Sequence, residues 1–248
     1  MKTFTLFITV IIISLNSQSQ SIVLNDTNWF RNGPVSADVR ALAMAPSNPE
    51  VIYIGTYSDG IYKTTNGGET WNYCSTENLP VYEDSLNNSE TSPCWWFGDY
   101  YPVYAIAVEP QNENHVWVGT HRGLLKSTDG GSSWQSVGGT LPDNFFVNFI
   151  NINSFNPNDI FIGTGGGFYR TINGGNSWDL FYSSYWVTDI KRDPSYNDHI
   201  LIGLGSTGSG AFPWGIIESY DNGITWQELT DAFHFYDICI DPENNQNL

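Results

Sequence analysis

Four short runs along the chain are apolar at nearly every position and close on glycine. They are Val51-Ile52-Tyr53-Ile54-Gly55, Val116-Trp117-Val118-Gly119, Ile160-Phe161-Ile162-Gly163 and Ile200-Leu201-Ile202-Gly203. Runs of this length, rich in β-branched and aromatic residues and bounded by turn formers, predict buried strands. Sixteen residues before each glycine stands a valine: Val39, Val103, Val147 and Val187. Thirteen before it stands Leu42, Ile106, Ile150 or Ile190, and nine before it Pro46, Pro110 or Pro194, with Ser154 as the exception. The unit reads as strand A, a Pro/Asn turn, strand B, a short hairpin and strand C.

Each unit closes on an octet. Thr64-Thr65-Asn66-Gly67-Gly68-Glu69-Thr70-Trp71 returns as Ser127-Thr128-Asp129-Gly130-Gly131-Ser132-Ser133-Trp134. It returns again as Thr171-Ile172-Asn173-Gly174-Gly175-Asn176-Ser177-Trp178 and as Ser219-Tyr220-Asp221-Asn222-Gly223-Ile224-Thr225-Trp226. Asx-Gly between apolar runs is a strong hairpin signal, because these residues tolerate positive φ and the short Asx side chain bonds its own turn. Asn66, Asp129, Asn173 and Asp221 are therefore expected to hold turns rather than touch a ligand. Trp71, Trp134, Trp178 and Trp226 should open a fourth strand, D, and bury their indoles beneath the hairpin.

Four short antiparallel strands per unit of about 44 residues predict the blade of a β-propeller. The complete blades fall at 39–74, 103–137, 147–182 and 187–229, within one propeller domain over 21–248. Tyr236 to Pro242 matches strand A, so a fifth blade begins near 235, and Asn28 to Pro34 resembles the end of a D strand. An open arc of blades leaves a long sheet edge, which native proteins avoid. The expectation is an incomplete propeller, part of a longer one.

The octet resembles the Asp box, or BNR repeat, of sialidases, sortilin-type receptors and several secreted glycosidase-like propellers. That resemblance implies the same all-β architecture. It implies no particular reaction, because the box belongs to the fold.

Composition narrows the function classes. Glycine (24) and aromatics (15%) are abundant, Lys and Arg number nine, and the net charge is −17. Such acidity excludes nucleic acid, whose binding needs a basic footprint, and an anionic membrane surface. No EF-hand or comparable ligand spacing is present, so neither a metal nor a cofactor is expected. Residues 1–20 read as a signal peptide: Lys2, the apolar stretch Phe4 to Ile13, then a polar tract with Ser17-x-Ser19 for cleavage. The stretch is too short to span a bilayer, which implies no membrane insertion once it is removed. The protein is expected to be secreted, periplasmic or on the cell surface. Cys74 and Cys94 bracket one insertion, where a disulfide would close a loop of about 20 residues and contribute roughly 3 kcal/mol. Cys239 is left over as a small buried hydrophobe.

Strand alternation sorts the loops onto two ends of the sheets. A–B turns and octets fall at one end, B–C and D–A connections at the other. Both large insertions, Ser75 to Pro102 and Leu204 to Gly215, belong to the second end. So do Trp95, Trp96, Tyr100 and Trp214 within them, Phe145-Phe146 and Tyr185-Trp186 in other D–A connections, and Tyr57 and His121 in B–C turns. Flat aromatic faces beside carboxylates and amides grip sugar rings, so a glycan or an extracellular protein is the expected partner. The glycine-rich Gly163 to Gly167 lacks the lysine and helix of a phosphate loop and reads as a tight turn.

Sialidases need an arginine triad and an Arg-Ile-Pro segment. This chain has only Arg31, Arg40, Arg122, Arg170 and Arg192, and no such segment. It resembles more closely the xyloglucan-cleaving two-propeller hydrolases, through Arg31-Asn32-Gly33-Pro34 followed by Val39 to Pro46 and Val51 to Lys63. There a catalytic Asp follows the second strand's threonine. Here Tyr57 follows Thr56, and Asp59, two residues on, is the candidate substitute. Inverting hydrolysis also needs a second carboxyl roughly 6.5–9.5 Å away. Sortilin-type and photosystem assembly-factor-like propellers share the rhythm and act as binding platforms. The sequence thus favours a non-catalytic propeller that binds through its insertion-bearing face. The alternative is a glycoside hydrolase with part of its site in a further C-terminal region.

Overall fold

Contacts divide the chain into two units, Met1–Arg31 and Asn32–Leu248. The computed structural model describes residues 33–34, 37–74, 102–142, 146–183, 186–193, 195–196, 198–205, 215–230 and 238–241, all in the second unit. Among them every regular element is a strand. The first sheet comprises β1 (Val39–Ala45), β2 (Asn48–Thr56), β3 (Ile61–Thr64) and β4 (Asn72–Tyr73). The second comprises β5 (Val103–Glu109), β6 (Asn112–Thr120), β7 (Gly123–Ser127) and β8 (Gln135–Ser136). The third holds β9 (Val147–Ile152), β10 (Ile160–Thr164), β11 (Gly167–Thr171) and β12 (Asp179–Ser183). The fourth holds β13 (Trp186–Arg192), β14 (Ile200–Gly205), β15 (Gly215–Ser219) and β16 (Gln227–Thr230). Neighbours in sequence are antiparallel neighbours in each sheet. β1 lies against β5, β5 against β9, and β9 against β13, so the first strand of each sheet forms its inner edge. The protein is an all-β propeller-type fold of four-stranded blades.

The core lies between sheets rather than within one. Val51, Tyr53 and Ile61 of the first sheet cluster with Val103, Val116 and Val118 of the second. Trp117 and Leu124 join Val147, Ile160 and Ile162, and Phe161 and Phe168 join Val187, Ile190 and Ile202. This explains the strict glycine and valine of the repeat. A Cβ on Gly55 would lie 2.2 Å from Val103 Cγ1, one on Gly119 2.8 Å from Val147 Cγ1, and one on Gly163 2.8 Å from Val187 Cγ1. In the first three sheets the glycine near the end of the second strand makes room for the valine near the start of the next sheet, while Gly203 of the fourth faces Thr188 and Ile238. Beyond the fourth sheet, Ile238 and Ile240 pack on Leu201 and Ile216, and the Ile238 N–H donates to Asp189 Oδ2 at 2.7 Å.

The octets form the turns between third and fourth strands through one hydrogen-bond scheme. The leading hydroxyl accepts the N–H of the fifth residue: Gly68 to Thr64 at 3.0 Å, Gly131 to Ser127 at 2.8 Å, Gly175 to Thr171 at 3.0 Å and Gly223 to Ser219 at 2.8 Å. The Asx oxygen accepts that hydroxyl and the N–H four residues on, as in Thr70 to Asn66 at 3.0 Å and Ser133 to Asp129 at 2.8 Å. Asn173 and Asp221 repeat both bonds. Each indole then lies over the glycine two residues after the Asx of its own turn. Trp134 and Trp178 are buried against the preceding sheet, whereas Trp71 and Trp226 are half-buried.

Hydrogen bonds from Ser133, side chain first and then backbone, hold the Asp129 carboxyl near 2 instead of its ordinary 3.8. Thr225 does the same for Asp221, also to about 2. A folded value below the unfolded one means stabilisation present above about pH 3.8 and lost as pH falls toward about 2. Asn66 and Asn173 make the same turn without a charge, each donating from Nδ2 to the hydroxyl four residues later. The double variant Asp129→Asn/Asp221→Asn should therefore melt close to the parent at pH 7 and lose less stability between pH 4 and pH 2. Acid titration of thermal melts checks this; parallel curves would refute it.

A second register runs across the sheets. Tyr53 faces Lys63, Trp117 faces Lys126 and Phe161 faces Arg170 across the second and third strands. Each cation lies over its ring, at 5.2, 4.5 and 5.1 Å. Lys63 reaches the next octet at Gly130 O (3.4 Å) and Arg170 reaches Asn222 O (2.8 Å), while Lys126 pairs with the buried Glu109 at 2.8 Å. Lys63 and Arg170 thus link adjacent blades, and Lys126 braces its own. The fourth sheet departs from the pattern, placing Leu201 opposite Glu218. There Glu218 and Asp193 flank the buried His199, with the Tyr220 ring stacked on it at 4.3 Å.

The expected Cys74–Cys94 bridge falls outside the described residues, as Cys94 does. Cys74 is buried. Just past β4, the Cys74 sulfur points at the next blade, 2.7 Å from where a Cβ on Gly131 would stand. Burial pushes its thiol up to about 11, only partly offset by Lys63, so it is a protonated packing group rather than a nucleophile. Cys239, expected to be buried, is exposed.

Candidate functional site

The end of the sheets that carries the B–C turns is built on threonines closing the second strands. Thr56, Thr120 and Thr164 donate their hydroxyls to Gly60 O, Gly123 O and Gly167 O, at 2.9, 3.0 and 2.7 Å. The threonine Oγ1 atoms in turn accept a turn N–H, from Asp59, Arg122 and Gly166 respectively. This fixes the turns and the directions of the side chains they display. Gly163 to Gly167 is such a turn and carries no phosphate-loop geometry.

Across the first three sheets this end gathers one aromatic row. Tyr57 lies beneath the Arg40 guanidinium, 5.0 Å from its ring centroid, and its N–H donates to Asp38 O at 2.9 Å. Arg40 is bonded to the Asp38 carboxylate at 2.7 Å. Tyr104 takes the register place on β5 that Arg40 takes on β1, two strands that lie against each other, and burial raises its phenol. Tyr104 meets Phe146 edge-on at 4.4 Å, and His121 lies 5.9 Å from the same ring. Tyr57, Tyr104 and Phe146 are half-buried, while Asp38, Arg40 and His121 are exposed. The arrangement offers ring faces of partial exposure with an ion pair at one side and an imidazole at the other.

Of the sequence candidates for ligand binding, Tyr57 and His121 fall in this row. Trp95, Trp96, Tyr100 and Trp214 lie outside the described residues. Arg40 and Tyr104 escaped the sequence reading. Each directly follows the register valine of its inner strand, Val39 and Val103, a place taken by Asn148 and Thr188 in the other two sheets. A comparison of that one column would have found them. Asn148 donates to Val187 O, and its own Oδ1 and the Thr188 Oγ1 are buried without a partner.

Asp59 is half-buried in the first B–C turn, where its Oδ2 accepts a 3.3 Å hydrogen bond from Ser58 Oγ. Asp38, the exposed carboxylate at the same end of the first sheet, is engaged by Arg40. The described residues show one carboxyl of a possible hydrolytic pair, not two.

No family model matches the chain. It is 27% identical over 100 residues to a Neosartorya fischeri protein described as "Probable oligoxyloglucan-reducing end-specific xyloglucanase", covering 40% of this chain and 10% of that protein. In structure it is similar to an ancestral GH74 enzyme, with a TM-score of 0.58 and 26% identity, covering 78% of this chain and 24% of that one. It is also similar to the GH74 enzyme of Niastella koreensis, with a TM-score of 0.58 and 21% identity, covering 77% of this chain and 30% of that one. The chain thus spans less than a third of each of these proteins.

Proposed function

We propose that this protein is exported and binds a glycan, without cleaving it, through the end of the sheets that carries the B–C turns. The observation that supports this most is the row Tyr57–Tyr104–Phe146 across three consecutive blades, bounded by the Asp38–Arg40 pair and His121. Flat rings pack against the C–H faces of sugars, and charged rim groups exchange hydrogen bonds with hydroxyls. A glycan suits such a row better than an extracellular protein partner, which usually meets a more fully apolar centre. The apolar leader with its small-residue cleavage site supports export, and the octets match Asp boxes of the BNR type. Trp95, Trp96, Tyr100 and Trp214 would extend the surface.

The test is binding to a panel of soluble plant and microbial polysaccharides by affinity electrophoresis and calorimetry. Tyr104→Ala should weaken retention on the best ligand by roughly tenfold, the scale of one aromatic contact. If no polysaccharide is retained, or if Tyr104→Ala and Tyr57→Ala bind like the parent, the reading fails.

The likeness to GH74 enzymes favours one second reading, a glycoside hydrolase using Asp59. Its partner carboxyl would come from outside the described residues. Steady release of reducing ends from xyloglucan, abolished by Asp59→Asn, would establish this reading and remove the non-catalytic one.

A further inference from the structure

The opposite end of the sheets carries a feature that glycan binding does not use. Phe155 and Ile172 are 66% exposed, Ile224 is 79% exposed, and Tyr196 and Tyr220 are about half exposed (47% and 48%). All five lie in the A–B turns and octets of the third and fourth sheets. The matching octet positions of the first two sheets are polar: Thr65 and Thr128 for Ile172 and Tyr220, Glu69 and Ser132 for Ile224. Single exposed apolar residues need no explanation, but a group confined to two adjacent blades does.

The five are held around one node. Arg170, two residues before Ile172, donates to Asn222 O, and Arg192, four before Tyr196, donates to Asn222 Oδ1 at 2.9 Å. Tyr220 and Ile224 flank Asn222 in sequence, and its N–H donates to Asp198 O at 2.9 Å. The Tyr196 hydroxyl reaches Tyr220 O at 3.5 Å. Phe155 donates its N–H to Asn153 Oδ1, and Asn153 bonds Asp159, the carboxylate that holds both arginines. The patch therefore spans the seam between the two blades.

Charge selects its occupant. Within the two patch blades this end shows an exposed Asp198 and a half-exposed Asp221, and the same end of the first two blades adds exposed Glu50, Glu69 and Asp129 and half-exposed Glu113. The cations of the same end, Lys63, Lys126, Arg170 and Arg192, are turned into the seams and engaged there. The surface is apolar, and the end of the sheets it belongs to is anionic. A second copy of this chain would bring the same anionic end and be repelled, as would an anionic lipid or a nucleic acid. We infer that this surface docks a polypeptide segment whose apolar side chains alternate with lysine or arginine.

The probe is a short synthetic peptide alternating lysine and leucine, fluorescently labelled and titrated at physiological salt, with lysine/serine and glutamate/leucine peptides alongside. The variant is Phe155→Gln/Ile172→Thr/Ile224→Glu, each replacement copied from Gln111, Thr65 or Glu69 at the matching place in another blade. It should melt like the parent and bind the lysine/leucine peptide about tenfold more weakly or worse, despite its added negative charge. The lysine/serine and glutamate/leucine peptides should bind the parent weakly. Equal binding by the variant, or lysine/serine binding as tight as lysine/leucine, would overturn the inference by reducing it to bulk charge. Hydroxyl-radical footprinting of the parent is independent of the variant's folding: bound peptide should protect Phe155, Tyr196, Tyr220 and Ile224. Protection confined to the Tyr57–Phe146 end would overturn it too.

Discussion

Asp159→Ala should destabilise the protein by about 3–5 kcal/mol, the range for removing one partner of a buried ion pair. The Asp159 carboxylate accepts Arg170 Nε at 2.8 Å and Nη2 at 3.1 Å, Arg192 Nη2 at 3.2 Å and Asn153 Nδ2 at 3.0 Å. Burial would raise its pKa, yet the arginines and Asn153 outweigh burial and hold it below the ordinary carboxylate range. Both guanidiniums lie over the Phe161 ring, at 5.1 and 5.0 Å, and Arg192 is already driven below its ordinary value by desolvation. Without Asp159, two like charges would share an apolar seam having lost the carboxylate that bridges them. Urea unfolding of the variant tests this. Replacing Arg170 with Met in the same chain should recover part of the loss, because one of the stranded charges goes. A loss under about 1 kcal/mol, as for exposed pairs, would mean the cluster is effectively solvated.

Gly119→Ala should cost about 3 kcal/mol, toward the upper end for overpacking, and lower the melting temperature by roughly 6–12 °C at this chain length. The added Cβ would stand 2.7 Å from Val147 O and 2.8 Å from Val147 Cγ1. The oxygen belongs to the inner strand of the next blade and cannot turn away as a side chain could. Gly166→Ala is the control, since a Cβ there meets nothing within 4 Å and its φ is not in the left-handed region. Thermal melts of the two variants should separate clearly. Equal melting temperatures would show that adjacent blades can move apart without loss.

The propeller was legible in the sequence because its rules are local or join one blade to the next at a fixed offset. The octet closes its hydrogen bonds within eight residues, so four copies repeat the same residues. The Gly55–Val103, Gly119–Val147 and Gly163–Val187 contacts recur because successive sheets stack the same way. The Tyr57 and His121 part of the candidate site was legible for a similar reason: strand alternation assigns every turn to one end or the other. Arg40 and Tyr104 were missed because they stand inside strands, where side chains are expected to pack rather than to line a surface.

Sequence alone determined the all-β class, the four-stranded unit and its turn chemistry, since these depend on neighbours along the chain and on a repeating spacing. Tertiary structure alone decided which side of each strand meets the next blade, and small choices of direction changed the outcome. Cys74 read as one side of a loop, and only the packed sheets set its sulfur against Gly131 of the next blade. Ile172 and Ile224 stand in octets at places that are polar in the first two blades, and only the packed sheets show that nothing covers them. Burial is a property of how sheets assemble. A chain position carries the tendency to be buried but not the surface that would cover it.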